Sequence, residues 1–311
     1  MTKLGTSDLD VSRLSLGGNV FGWNASEEQS FAVLDAYTAA GGNFVDTADV
    51  YSAWAPGHSG GESETVIGRW LAKRGRRDDV VVATKVGMLT GLDNLKAKTI
   101  QTAAEASLRR LGVDHIDLYY AHKDDPSTPV EETMAAFDAL VRAGKVRHVA
   151  ASNYSAARLQ EALAASEREG LVKFVALQPE YNLMERAAYE GELSAAVADA
   201  GLSAVPYWGL AKGFLTGKYR PGVEVDSVRA ASASQYLDER GLAVLEALDE
   251  VAEARGVAPA AVALAWLADQ PTVAAPIASA RTPEQLADLL PALELRLEAA
   301  ELELLGKASE V

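Results

Sequence analysis

Eight short runs rich in β-branched and apolar residues recur along the chain: RLSLGG, NFVDT, VVVATK, IDLYYA, VRHVAAS, FVALQ, LSAVP and TVAAP. Six of them begin near residues 43, 80, 116, 146, 174 and 202, at intervals of roughly 30 residues, the length of a strand with its crossover helix. The runs are unbroken rather than alternating, which is the pattern of strands covered on both faces. The stretches between them have helical spacing. In EETMAAFDALVRAGK, Met134, Phe137, Leu140 and Val141 share one face. Thr128 as N-cap and Pro129 in the first turn supply the start signal, and Gly144 the stop. Eight repeats of strand then helix predict a closed (β/α)8 barrel of the TIM type. An open doubly wound sheet is the alternative, but no strand-to-helix turn carries the G-x-G-x-x-G expected of one.

Three pieces exceed a minimal barrel. TKLGTSDLDVSRL reads as a short N-terminal hairpin capping the barrel's base, residues 207–233 as a long loop followed by an extra helix at about 234–255, and LEAAELELLGKA as one more C-terminal helix. With no Pro- or Ser-rich linker, residues 1–311 are expected to form a single domain. The absence of cysteine removes disulfides, thiolate zinc sites and cysteine nucleophiles. The first residues hold no apolar core of a signal peptide, and no run approaches the ~18–20 apolar residues of a membrane span, so a cytoplasmic monomer is expected. A net charge of −15 argues against a nucleic-acid partner. Any anionic ligand must be held by a few placed cations.

A barrel of this kind carries its active site at the carboxyl ends of its strands. Asp46 and Tyr51 follow the second run, Lys85 ends the third and His122 the fourth. Ser152 and Asn153 follow the fifth, Gln178 ends the sixth, Tyr207 follows the seventh, and Ser279 and Arg281 come after the eighth. Singly, each has an ordinary structural explanation: a turn cap, a solvated strand end, a structural histidine. Jointly, polar groups from most strands at one rim are hard to attribute to packing. His58, His115 and His148 read as surface or loop residues.

The residue types suggest a reaction. A phenol has an unperturbed pKa of ~10 and is a poor acid at neutral pH. A neighbouring lysine ammonium lowers that pKa, and an aspartate keeps the lysine charged and in place. A nearby imidazole can hydrogen-bond a carbonyl oxygen. Together they polarise a carbonyl and protonate the alkoxide formed when hydride arrives, and hydride requires a cofactor.

With these segments in order, the sequence resembles the aldo-keto reductases over nearly its whole length. FVDTADVY, VVVATKVG and DLYYAHKDDPSTPVEET are similar to the segments of the family's catalytic tetrad, here Asp46, Tyr51, Lys85 and His122. VRHVAASNYS and VALQPEYNLMER resemble those whose Ser-Asn and Gln hold the nicotinamide carboxamide, here Ser152, Asn153 and Gln178. VPYWGLAKGFLTGKY resembles the segment whose Tyr, here Tyr207, stacks on the nicotinamide and whose following loop folds over the pyrophosphate, here with Gly209, Leu210, Lys212 and Lys218. PIASARTPEQLADLL resembles the adenosine-phosphate site, with Ser279, Arg281 and, towards adenine, Gln285. The family often has Gly where Ser279 stands, Glu-Asn where Asp288 and Leu289 stand, and Ser-Pro where Trp208 and Gly209 stand. An arginine fork suits a 2′-phosphate, so the resemblance implies NADPH as preferred cofactor, with NADH usable.

The implied activity is reduction of an aldehyde or ketone group of a small molecule, with Tyr51 as general acid. Phe21, Trp23 and Trp54 are candidates for an aromatic pocket wall. Two alternatives belong to other classes: a nucleotide-sensing regulatory subunit with little turnover, and a metal-dependent barrel lyase or isomerase. The rim offers neither paired carboxylates nor histidines at metal-ligand spacing, so no metal is expected. GHSGG at 57–61 matches G-x-S-x-G but lies too far past its strand to be a nucleophile elbow, and GFLTGKY at 213–219 is one residue too short for a phosphate loop.

Overall fold

In the computed structural model, which describes residues 1–310, the apolar runs form eight parallel strands wound about a common axis. A hairpin of β1 (Thr2–Lys3) and β2 (Asp10–Val11) comes first. The barrel strands are β3 (Ser15–Gly17), β4 (Phe44–Asp46), β5 (Val81–Val86), β6 (Ile116–Ala121), β7 (Val146–Ser152), β8 (Phe174–Gln178), β9 (Ser203–Ala204) and β10 (Ile277–Ala278). They are hydrogen-bonded in the order β10-β3-β4-β5-β6-β7-β8-β9. The last seam closes through residues just before β10: Ala204 N–H donates to the Thr272 carbonyl at 2.8 Å, and Ala274 N–H donates back to Ala204 at 2.9 Å. The eighth run therefore pairs differently from the expectation. Its regular ladder lies at 277–278 rather than within TVAAP, because Pro276 has no N–H to give.

Helices follow the strands as expected of a (β/α)8 barrel: α1 (Glu27–Ala39), α2 (Glu62–Arg74), α3 (Ala97–Leu111), α4 (Val130–Arg142), α5 (Ala156–Glu169) and α6 (Glu192–Asp199). Beyond them come α7 (Ala230–Ala233), α8 (Glu239–Arg255), α9 (Pro259–Ala268), α10 (Pro283–Ala287) and α11 (Ala299–Ala308). Two boundaries differ from the sequence reading. Pro129, not Thr128, is the N-cap of α4, because the Thr128 hydroxyl donates to Asp125 at 2.6 Å. The extra helix begins at Glu239, where the Asp238 carboxylate accepts from the Gly241 N–H at 2.7 Å; residues Ser234–Tyr236 form a separate 3₁₀ turn. No single helix is long and apolar enough to cross a membrane.

The core has two compartments. The larger lies between the strands and the helices, where α4 buries Met134, Phe137 and Leu140. The smaller fills the barrel, where Phe44, Val81, Leu118, Tyr120 and Val205 meet. Leu4, Leu9 and Val11 of the hairpin belong to this inner compartment, so the N-terminus plugs the base and leaves the opposite mouth for the site. Gly5 sets the fit: its φ is +53°, and an added Cβ would stand 2.1 Å from the Val175 carbonyl oxygen. Gly5→Ala is predicted to destabilise the protein by at least ~2 kcal/mol, from the left-handed backbone and the overlap together. Urea unfolding measures this, and an unchanged midpoint would show that the hairpin does not dock as described.

Candidate active site

Alternation along the strands builds the site. Phe44, Val81 and Ala83, and Leu118 face the barrel interior, so Asp46, Lys85 and Tyr120, an even number of residues further on, face inward near its mouth. The fully buried Lys85 uses all three of its donors. Its Nζ donates to Asp46 Oδ2 at 2.7 Å, to the Thr47 carbonyl at 2.8 Å and to the Tyr51 hydroxyl at 2.9 Å. The Tyr51 hydroxyl in turn donates to Asp46 Oδ2 at 3.1 Å. The His122 ring centroid is 6.1 Å from that of Tyr51. All four residues read from the strand ends thus converge.

Their protonation follows from burial. The Tyr51 phenol lies well above its usual pKa, first through burial and then through the Asp46 charge. The lowering expected from Lys85 is outweighed by burial and then by the Asp46 charge on the same hydroxyl. Burial draws the lysine down, and Asp46 is the largest influence in the other direction. His122 lies well below its usual value through burial and then Lys85, so its imidazole is neutral.

A second layer links the neighbouring strand ends. Gln178 Nε2 donates to Asp46 Oδ1 at 2.9 Å, and the Ser152 hydroxyl donates to the Gln178 carbonyl at 2.9 Å. Asn153 has a left-handed φ of 56°, and its amide donates to the His122 carbonyl at 2.9 Å. Its Oδ1 accepts from the Tyr207 hydroxyl at 2.8 Å. Trp208, Ala211 and Lys212 also hold positive φ, which fixes an unusual path for the chain past Gly209 and Leu210.

That path leads to a group of cations. Among the described residues, Lys212, Lys218, Arg229 and Arg281 form no ion pair, in a chain whose other cations largely do. The Lys212 ammonium lies over Trp208 at 4.7 Å and Tyr236 at 5.5 Å, and that of Lys218 over Tyr219 at 5.2 Å. Arg229 is held below its usual pKa by burial, with Arg281 as a neighbouring positive charge. The sequence reading missed it, because a lone arginine in a loop has no pattern around it. Ser279 donates to Asn19 at 2.5 Å, and the Gln285 side chain accepts from the Arg281 amide at 3.0 Å. At the mouth, Trp23 and Trp54 pack edge to face at 5.4 Å, and Trp54 is 6.1 Å from Tyr51. Phe21 differs from its expectation as a pocket wall: it is fully buried in the outer core, so only the two tryptophans keep exposed surface.

The sequence profile described as the Aldo/keto reductase family matches residues 13–310. The chain belongs to that family. Similar proteins include the "Uncharacterized oxidoreductase YrpG" of Bacillus subtilis, 37% identical over 98% of this chain and 94% of that one. The "Norsolorinic acid reductase stcV" of Emericella nidulans is 34% identical over 94% of this chain and 76% of its own. The "Probable voltage-gated potassium channel subunit beta" of Oryza sativa is 35% identical, over 94% and 90%. As an aldo/keto reductase family member, the chain is an oxidoreductase.

Behind the tetrad lies a group the sequence reading did not single out. Asp49 is fully buried, and neither carboxylate oxygen has a well-formed hydrogen bond. Its neighbour Glu64 accepts from the Thr84 hydroxyl at 2.5 Å and from Arg110 at 2.6 Å. Burial, and then the Glu64 charge, push the Asp49 carboxyl up to about 7 from an ordinary 3.8. The folded state thus holds this proton more tightly than the unfolded chain. Below the unfolded value both states are protonated and stability is unaffected; between the two values, stability falls as pH rises; above about 7 the loss is complete. The ceiling on that loss is ~4 kcal/mol. Asp49→Asn is therefore predicted to be more stable than wild type at pH 8 and to match it near pH 4. Thermal unfolding at both pH values checks this, and a pH-independent difference would show that folding does not raise the Asp49 pKa.

Proposed function

We propose that the protein reduces an aldehyde or ketone group of a small molecule to the alcohol with NADPH, Tyr51 being the general acid. The observation that carries this reading is the buried Lys85 ammonium shared between Asp46 and the Tyr51 hydroxyl, beside a neutral His122. Lys85 donates to the phenol oxygen, so the phenol's own proton is left to donate. In the resting protein it goes to Asp46, and a substrate oxygen at the mouth takes its place. The raised pKa keeps that proton on Tyr51 until negative charge develops on the substrate oxygen. The phenolate that results is met by the Lys85 donor already in place, with no reorganisation. The neutral imidazole of His122 can donate a second hydrogen bond to the same oxygen. Trp23 and Trp54 supply an aromatic lip for the substrate.

The residues present fit a dinucleotide. Ser152, Asn153 and Gln178 offer amide and hydroxyl groups for a carboxamide, and Tyr207 a ring face. Lys212, Lys218 and Arg229 suit a pyrophosphate, and Arg281 with Ser279 a 2′-phosphate, since cations with no carboxylate partner are available to an anion. Bound there, a reduced nicotinamide supplies the hydride that no side chain can donate.

A second reading has its own support, in the relatives named as potassium channel subunits. On that reading the chain holds nucleotide and turns over little. An aldehyde and ketone panel with NADPH separates the two: steady turnover supports the reductase, and tight cofactor retention without turnover supports the regulatory subunit.

Tyr51→Phe keeps the ring and removes the proton. It is predicted to slow carbonyl reduction by at least ~100-fold while leaving NADPH affinity nearly unchanged. Near-normal turnover in this variant would remove Tyr51 from the chemistry.

Arg281→Ala tests the cofactor preference. A charge-assisted hydrogen bond contributes ~1.5–3 kcal/mol, so NADPH is predicted to bind roughly 10- to 150-fold more weakly. NADH, lacking the 2′-phosphate, should change little. Quenching of tryptophan fluorescence measures both, and equal weakening of the two cofactors would deny Arg281 the phosphate.

A further inference from the structure

Tyr120 stands directly opposite Lys85 on the ladder between β5 and β6, and its side chain enters the barrel interior. It is fully buried, and its hydroxyl, which lies towards Gln178, makes no well-formed hydrogen bond. A buried hydroxyl without a partner is destabilising, and leucine or valine would fill a barrel interior without that cost. Hydrogen bonding therefore does not explain an aromatic residue here. The ring does have a partner. The Lys85 ammonium lies 5.8 Å from its centroid and 4.7 Å from the centroid of Tyr51. The ammonium is thus within cation–π range of two phenol rings, one belonging to the proposed acid and one with no assigned role.

Lys85 needs such support because it is completely removed from water. The groups around it come from several elements. Asp46 of β4 is in contact, and Asp49 from the following loop and Glu64 of α2 favour its charged form. Tyr51 lies on its hydrogen-bonding side, His122 at the end of β6 is neutral, and Gln178 of β8 reaches it only through Asp46. Of these carboxylates only that of Asp46 touches the ammonium. Its charge is also shared with Tyr51 and Gln178, and the inner wall is otherwise apolar. An aromatic face on that wall supplies negative potential without a second buried charge.

We propose that Tyr120 is a positioning residue for Lys85: its ring face, not its hydroxyl, helps hold the proton that Lys85 uses to support Tyr51. The proposal rests on the role given to Lys85 above, but concerns the ammonium itself. The proton on Lys85 is held by the ring of Tyr120 in addition to the carboxylate of Asp46, so removing the ring and removing the hydroxyl have different consequences.

The test reads Lys85 directly. The full-length protein is labelled with ¹³C at the lysine ε-carbons, the Lys85 signal is assigned by its loss in Lys85→Met, and it is titrated in wild type, Tyr120→Phe and Tyr120→Leu. The leucine variant is expected to lower the Lys85 pKa by roughly 0.5–1 unit, as a cation–π contact near its outer range predicts. The phenylalanine variant, which keeps the ring, is expected to match wild type. An unchanged or raised value in the leucine variant overturns the proposal, and so does a phenylalanine variant shifted as far as the leucine one. Unfolding midpoints confirm that both variants are folded at the titration pH; if the leucine variant is not, Tyr120→Met replaces it under the same criteria. The result is independent of turnover. A shifted Lys85 in a protein that reduces no carbonyl would count against the proposed reaction and leave the role of Tyr120 standing.

Discussion

An ammonium group taken wholly out of water is among the most costly things a fold can contain, and Lys85 is one. Its cost is offset only because every donor finds an acceptor: the Asp46 carboxylate, the Thr47 carbonyl and the Tyr51 hydroxyl. Those acceptors come from one strand and the loop that follows it, so the loop must turn back over the barrel mouth. Ser52 makes that turn with a φ of 74°, and its hydroxyl donates to the Phe21 carbonyl at 3.2 Å. Phe21 is itself locked in the core, which explains why it is unfree to line a pocket. Removing one member of such a pair typically costs ~3–5 kcal/mol, because the other charge remains buried. The chemistry of the site and the integrity of the barrel mouth therefore rest on the same contact.

The rest of the barrel shields that contact from water. The hairpin closes the base with Leu4, Leu9 and Val11, and the inner side chains fill the space up to Tyr120. Solvent can reach the tetrad only from the mouth, where Tyr51, His122 and the two tryptophans stand. Burial then sets the direction of the Tyr51, Lys85 and His122 shifts. It keeps the phenol protonated, the imidazole neutral and the lysine dependent on its neighbours. The Lys85 charge considered by itself leads to the expectation of a lowered phenol pKa. The structure has a buried phenol with a raised pKa and the Lys85 ammonium donating to its oxygen.

Much of this was legible in the sequence, because a (β/α)8 barrel imposes two simple rules. Strands buried on both faces must be apolar runs, and residues two apart face the same way. Asp46, Lys85 and His122 at the ends of such runs could therefore be placed at one rim without a structure. What escaped had no periodic signal. Pro276 moved the last ladder by its missing N–H, and Asp125 drew Thr128 away from capping α4. Tyr120 lay inside an apolar run, where a tyrosine reads as packing. Arg229 and Asp49 take their character from burial first and then from groups distant in sequence, Arg281 among them in one case and Glu64 in the other. The same holds for the direction of the Tyr51 shift, since burial is a property of the assembled mouth.

The division between the wall and the mouth of the barrel bears on how relatives of similar length come to carry different names. The wall is constrained twice over, by packing and by the buried ion pair, so substitutions there are felt as instability. The exposed lip of the mouth is constrained by neither. Trp54 keeps half its surface exposed, Trp208 and Met88 about two-fifths, and none of the three belongs to a core cluster. Substitutions at such positions alter what can approach Tyr51 without disturbing Lys85. A fold built this way can keep its buried wall while its exposed lip changes. On that argument, the Trp23–Trp54 edge-to-face pair is the part of this mouth freest to vary, and the buried Asp46–Lys85–Tyr51 cluster beneath it is the part least free.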